Sequence, residues 1–118
     1  MDHKTAKALR RFPRIATPRG VWVAWQNETF KQSVCRVSDL NVGGLFIETL
    51  TPARVGDTVS VLLSVPEGEI RGHAVVRNVS AGKGIGVQFT AMSAVDSDRL
   101  HKLVTRLLQQ QSTVDITS

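Results

Sequence analysis

The chain has no tyrosine, and its only aromatic residues are two tryptophans and four phenylalanines. That scarcity argues against a platform for single-stranded nucleic acid, which stacks bases on several exposed rings. A single cysteine, Cys35, excludes an internal disulfide, and no neighbouring ligands give it a zinc site. Its setting, SVCRV, reads as strand, so it is expected to be a small buried hydrophobe. His3, His73 and His101 are too scattered for metal-ligand spacing, so no metal is expected. No apolar run approaches the ~18 residues that cross a bilayer, and no apolar leader stands near the first methionine. The expectation is a cytoplasmic protein without a membrane span. No nucleophile–base pair or carboxylate dyad stands out, so an enzyme is not expected. The stretch GKGIG at 82–86 lacks the length and following Ser or Thr of a phosphate loop and reads as a hairpin turn.

What is present is enough apolar surface for one domain: 118 residues, 42% of them hydrophobic. The net charge of +5 is concentrated at one end. Residues 1–20 carry Lys4, Lys7, Arg10, Arg11, Arg14 and Arg19 against Asp2, while the rest of the chain is balanced. Four of those arginines and two prolines fall within RRFPRIATPRG, residues 10–20. A basic arm on a neutral body points to an anionic partner, although a merely solubilising tail has the same composition.

Period-2 alternation dominates from Gly20 onward. Strands are expected at 20–27, 29–40, 43–49, 58–65, 70–79 and 85–90, separated by turns rich in Gly, Pro, Asn and Asp. Val21, Val23 and Trp25 share one face of the first strand and Trp22 the other, so one tryptophan is expected in the core. Arg71, His73 and Arg77 alternate along one strand; Arg71 and Arg77 either line the outer barrel face near a ligand or are simply solvated, and the solvated reading is preferred. At the C-terminus the period changes. Leu100, Leu103, Val104, Leu107 and Leu108 line one face of a helix expected at 95–111, with Ser93, Asp96 and Ser97 as N-cap candidates. Its leucines either close the barrel or join a second subunit; a monomer or weak dimer is expected. The domain reading is an arm over 1–19, a body over 20–111 and a disordered tail over 112–118.

DLNVGGLFI, residues 39–47, places Asp39, Asn41, Gly43 and Gly44 where two strands meet. One reading is an Asx turn, in which Asp and Asn bond their own backbone and the glycines supply positive φ. The other is a ligand site, with side chains facing outward and Gly44 giving the ligand room. Arg10-x-x-x-Arg14 followed by Asp39-x-Asn41-x-x-Gly44 resembles the PilZ domain family, and GIGVQF at 84–89 looks like that family's late strand. Asn41 stands where the family usually has serine. The resemblance implies a mainly β fold, a six-stranded antiparallel barrel with a C-terminal helix, that binds cyclic di-GMP. It also implies a downstream protein partner. The binding residues it implies are Arg10, Arg14, Asp39, Asn41 and Gly44, with Arg11 as a secondary candidate and no other cofactor.

Arginine suits such a ligand by pairing with phosphate, forking onto guanine and stacking on purine faces. Asp39 suits the guanine N–H edge. Two alternatives stay open: a PilZ-like protein-interaction module without ligand, and a nucleic-acid-binding small barrel.

Overall fold

The computed structural model describes residues 15–17, 21–29 and 32–117, with side chains as far as residue 110. Among the described residues seven strands precede one helix: β1 (Ile15–Ala16), β2 (Trp22–Gln26), β3 (Gln32–Asn41), β4 (Gly44–Glu48), β5 (Thr58–Val65), β6 (Gly68–Ser80), β7 (Gly84–Ala91) and α1 (Ala94–Thr117). Six of the strands close a barrel in the order β3-β2-β5-β6-β7-β4, with β4 returning to β3, and every pairing is antiparallel. Closure removes the free edges that an open sheet of this length would expose.

Alternation fixes the faces. Val23 and Trp25 of β2, Val59, Val61 and Leu63 of β5, and Ile85 and Val87 of β7 are buried inside the barrel. Trp22, on the opposite face of its strand, is half exposed. Leu100, Leu103 and Leu107 of α1 are buried in the same core, so the leucine face covers the barrel of its own chain. Leu108, expected on that face, is turned largely outward, and Cys35 is half-buried at the edge of the core rather than inside it. The helix begins at a Ser93 cap: the Ser93 hydroxyl accepts from the Asp96 amide at 3.1 Å, and the Ser93 carbonyl accepts from the Ser97 amide at 2.9 Å. Asp96 accepts in turn from the Ser93 hydroxyl and from the Arg71 amide, and both bonds hold its carboxyl below the ordinary aspartate range. Farther along, Arg106 grips Glu67 of the β5–β6 turn through Nε at 2.5 Å and Nη2 at 3.2 Å. That bond outweighs burial and lowers the Glu67 pKa.

Two boundaries differ from the sequence reading. The backbone of α1 runs to Thr117 instead of ending near 111, because no glycine or proline interrupts residues 94–118. Ile15 to Thr17, read as part of the arm, are joined to the barrel. β1 pairs with β3 in the register Ile15↔Leu40 and Ala16↔Asp39, on the edge of β3 that β2 leaves beyond Arg36. Thr17 extends the attachment: its amide donates to the Ser38 carbonyl at 3.0 Å and its hydroxyl to the Val37 carbonyl. Ile15 and Thr17 are both buried. A two-residue strand is too short for periodicity to signal it.

Candidate functional site

The β3–β4 connection is a tight turn built by one side chain. The Asn41 Oδ1 accepts from the Gly43 amide at 2.8 Å and from the Gly44 amide at 2.9 Å. This is the Asx arrangement, and it occupies the amide oxygen with the backbone of its own loop. The expected positive φ is not what the glycines provide. Among the described glycines positive φ occurs at Gly56, Gly68, Gly82 and Gly84, so Gly43 and Gly44 do not take it. Gly44 is required for another reason: a Cβ there would lie 2.1 Å from the Val87 carbonyl oxygen of β7. The neighbouring strand fills the space that the missing side chain leaves.

Asp39 and Asn41 both face outward, half-buried, on either side of inward-facing Leu40. The Ser38 hydroxyl donates to Asp39 Oδ2 at 3.3 Å. Ser38 is the extra residue of a β-bulge, since Val37 pairs with Ile47 and Asp39 with Phe46. The bulge resets the alternation and puts Asp39 on the outer wall. From Asp39 a rung of paired residues crosses that wall through Phe46 of β4 and Gly86 of β7 to Asn78 of β6. A parallel rung runs from Asn41 through Gly44 and Gln88 to Val75. The Gly43 carbonyl accepts from the Phe89 amide at 2.8 Å, which locks the turn to β7. At the other margin Arg36 pairs with Glu48 at 2.8 Å, and its second nitrogen reaches the Thr17 carbonyl at 3.4 Å.

The predicted residues Asp39, Asn41 and Gly44 therefore share one turn on one wall. Arg10, Arg11 and Arg14 lie outside the described residues. What is described is the root of their segment: Ile15 and Ala16, paired beside Leu40 and Asp39. Sequence reasoning missed Thr17, Phe46, Asn78 and Gln88 as parts of this wall. Their placement depends on register and bulges, which leave no signal in a single strand's sequence.

A cleft of about 430 Å³ lies elsewhere, over the outer faces of β2, β5 and β6 beside the start of α1. Its lining includes Gln26, Gln32, Ser60, Arg71, His73 and Asp96, and none of the predicted site residues. Ser60 and His73 are 3.3 Å apart there, but Asp96 is committed to Ser93 and the Arg71 amide, so no relay forms. Arg71 belongs to this wall and ion-pairs with Glu69 at 3.4 Å, so Arg71 and Arg77, read together in the sequence, serve different surfaces. Among the described residues no group of His, Cys, Asp and Glu is arranged to hold a metal. No described helix is long and apolar enough to cross a membrane.

The geometry is similar to that of several solved structures. The K. pneumonia MrkH–c-di-GMP complex matches with a TM-score of 0.73 at 21% identity, over 88% of this chain and 54% of that one. The PilZ domain of Escherichia coli YcgR with c-di-GMP matches with a TM-score of 0.70 at 17% identity, over 92% of this chain and 98% of that one. The Bacillus subtilis inhibitor of motility MotI/DgrA matches with a TM-score of 0.70 at 18% identity, over 88% of this chain and 52% of that one. The chain thus spans about half the length of MrkH and of MotI, and nearly all of the YcgR domain. No curated protein matches it by sequence. The family model for the PilZ domain matches residues 8–106, which takes in the arm motif, the barrel and most of the helix, and the chain belongs to the PilZ domain family.

Proposed function

We propose that this chain is a cyclic di-GMP receptor module, in which the arm carrying Arg10, Arg11 and Arg14 closes over a ligand held against Asp39 and the β3–β4 turn. The observation that carries the reading is the register of β1. Ile15, the residue bonded to Arg14, pairs with Leu40, and Ala16 pairs with Asp39. The root of the arm is thus fastened beside the acidic end of the turn. Asp39 accepts from the guanine N–H edge, while guanidinium groups pair with phosphate and stack on the purine. Asn41 holds the turn rather than offering its oxygen to the ligand. Ordering about five arm residues costs ~1–2 kcal/mol each, and charge-assisted hydrogen bonds return ~1.5–3 kcal/mol apiece. The balance is small enough for ligand concentration to switch the arm between states. A downstream protein then reads the altered surface.

Similarity to structures that contain c-di-GMP supports the ligand class. Titration calorimetry tests it. The wild type is expected to bind saturably, and Arg14→Ala to lose about tenfold or more in affinity with its thermal melt unchanged. Equal binding by the variant would count against the clamp. One observation favours a second reading, a module that acts only through protein contacts: Asn41 replaces the family's usual serine and spends its oxygen on the loop. Failure of the wild type to bind cyclic di-GMP would select that reading.

A further inference from the structure

The wall that carries Asp39 does not end at β4. On its far side β6 has a second bulge, between Val76 and Asn78, and Arg77 is the extra residue. A bulge at this point re-aims the side chain beside it. Arg77 leans back over β7, where its Nε donates to Gln88 Oε1 at 2.6 Å. Gln88 is paired with Gly44, the last residue of the β3–β4 turn. Strand spacing of ~4.8 Å places Gln88 roughly 10 Å from Asn41 across the wall. The Arg77 side chain is therefore carried toward the turn and held by a neutral amide.

Its charge has no carboxylate partner among the described residues. Arg36, Arg71, Lys102 and Arg106 are each paired with one, and Arg77 differs from the other unpaired cations, Arg54, Lys83 and Arg99, by its place on this wall. An arginine positioned by a neutral acceptor keeps its outer nitrogens and its full charge for an anion. The next residue adds a reader. Asn78 Oδ1 lies where a side chain at Gly86 would begin, 2.0 Å from the ideal Cβ position. The absence of a side chain at Gly86 lets the Asn78 amide lie flat over β7 in the rung that starts at Asp39.

We infer that Arg77, with Asn78 beside it, is a further ligand-binding residue that holds the half of a cyclic dinucleotide farthest from Asp39. The inference rests on the cyclic di-GMP reading and extends it. A ligand with two phosphates and two purines presents two ends, and the arm, rooted beside Asp39, serves the near one. The turn and arm hold the near half. Arg77 meets the far phosphate or purine, and Gln88 sets its position. Tethering both halves on one wall converts the second contact into an intramolecular one.

The test is titration calorimetry of the full chain with cyclic di-GMP at fixed salt, for wild type, Arg77→Ala and Arg77→Lys, with thermal melts as the folding control. Arg77→Ala is expected to bind about tenfold or more weakly with an unchanged melt, and Arg77→Lys to recover only part of the loss. A change of less than about threefold in Arg77→Ala, with tight wild-type binding, overturns this inference and leaves the receptor reading standing. Absence of wild-type binding overturns both. A shift of the Arg77 Nε–H resonance on adding cyclic di-GMP is expected in the wild type, and an unmoved resonance at saturation also overturns the inference.

Discussion

The end of the barrel under α1 and the wall beside the β3–β4 turn are made from opposite materials. The first is apolar and filled: Leu100, Leu103 and Leu107 are buried, and an ion pair, Glu67–Arg106, fastens helix to hairpin. The second is polar and half-buried, shaped by glycines, two bulges and an Asn-capped turn. Stability is concentrated in the first, and the proposed recognition site lies on the second. Changes at the helix end should move the melting temperature without moving affinity, while changes on the wall should do the reverse or move both.

The largest effect is expected at Leu103→Ala. Leu103 is fully buried in the core, and truncation should cost about 2–5 kcal/mol through lost burial and a residual cavity. Urea unfolding would measure it. Ligand affinity, measured on the remaining folded protein in the cold, should stay at the wild-type value, and a parallel loss of affinity would break the division. Next is Asn41→Ala, which leaves the Gly43 and Gly44 amides without their acceptor. It should cost about 1–2 kcal/mol and weaken ligand binding as the turn loosens. Asn41→Asp keeps an acceptor in place and should recover the stability. It should not recover the affinity, because it adds negative charge beside a phosphate-bearing ligand.

The smallest effect is Glu67→Gln, about 1 kcal/mol or less at neutral pH, since Arg106 remains partly in solvent. Its sign with pH is definite. The Arg106 bond lowers the Glu67 pKa in the folded state, so the contribution is present above the ordinary glutamate range and fades as pH falls through the lower folded value. Stability curves of wild type and variant should converge below about pH 4. Persistence of the gap at lower pH would show that the pair acts through packing alone.

How much of this was legible in the sequence depended on the element. β5 and β7 could be read directly, because Val59, Val61 and Leu63, and Ile85 and Val87, alternate without interruption. The leucine spacing announced α1, though its end was hidden by the lack of any breaker. Asp39 and Asn41 were recognisable as a cluster. Their division of labour was not, because an amide that caps its own turn has the same sequence as one that faces a ligand. The bulges at Ser38 and Arg77 were invisible for a physical reason: an extra residue in a ladder shows only against its partner strand. Arg77 therefore read as no different from Arg71 in an alternating row, near a ligand or merely solvated. β1 escaped for want of length, flanked by Pro13 and Pro18 in a stretch dominated by charge.

The burial of Ile15 makes the root of the arm common property. Its side chain sits in the core, its backbone is hydrogen-bonded to β3 next to Asp39, and the short strand it begins lies against α1. A force applied to the residue before it is passed at once to the recognition turn and to the helix. Under the proposed clamp, closing the basic segment would therefore be felt at the helix through β1, without any contact between ligand and helix.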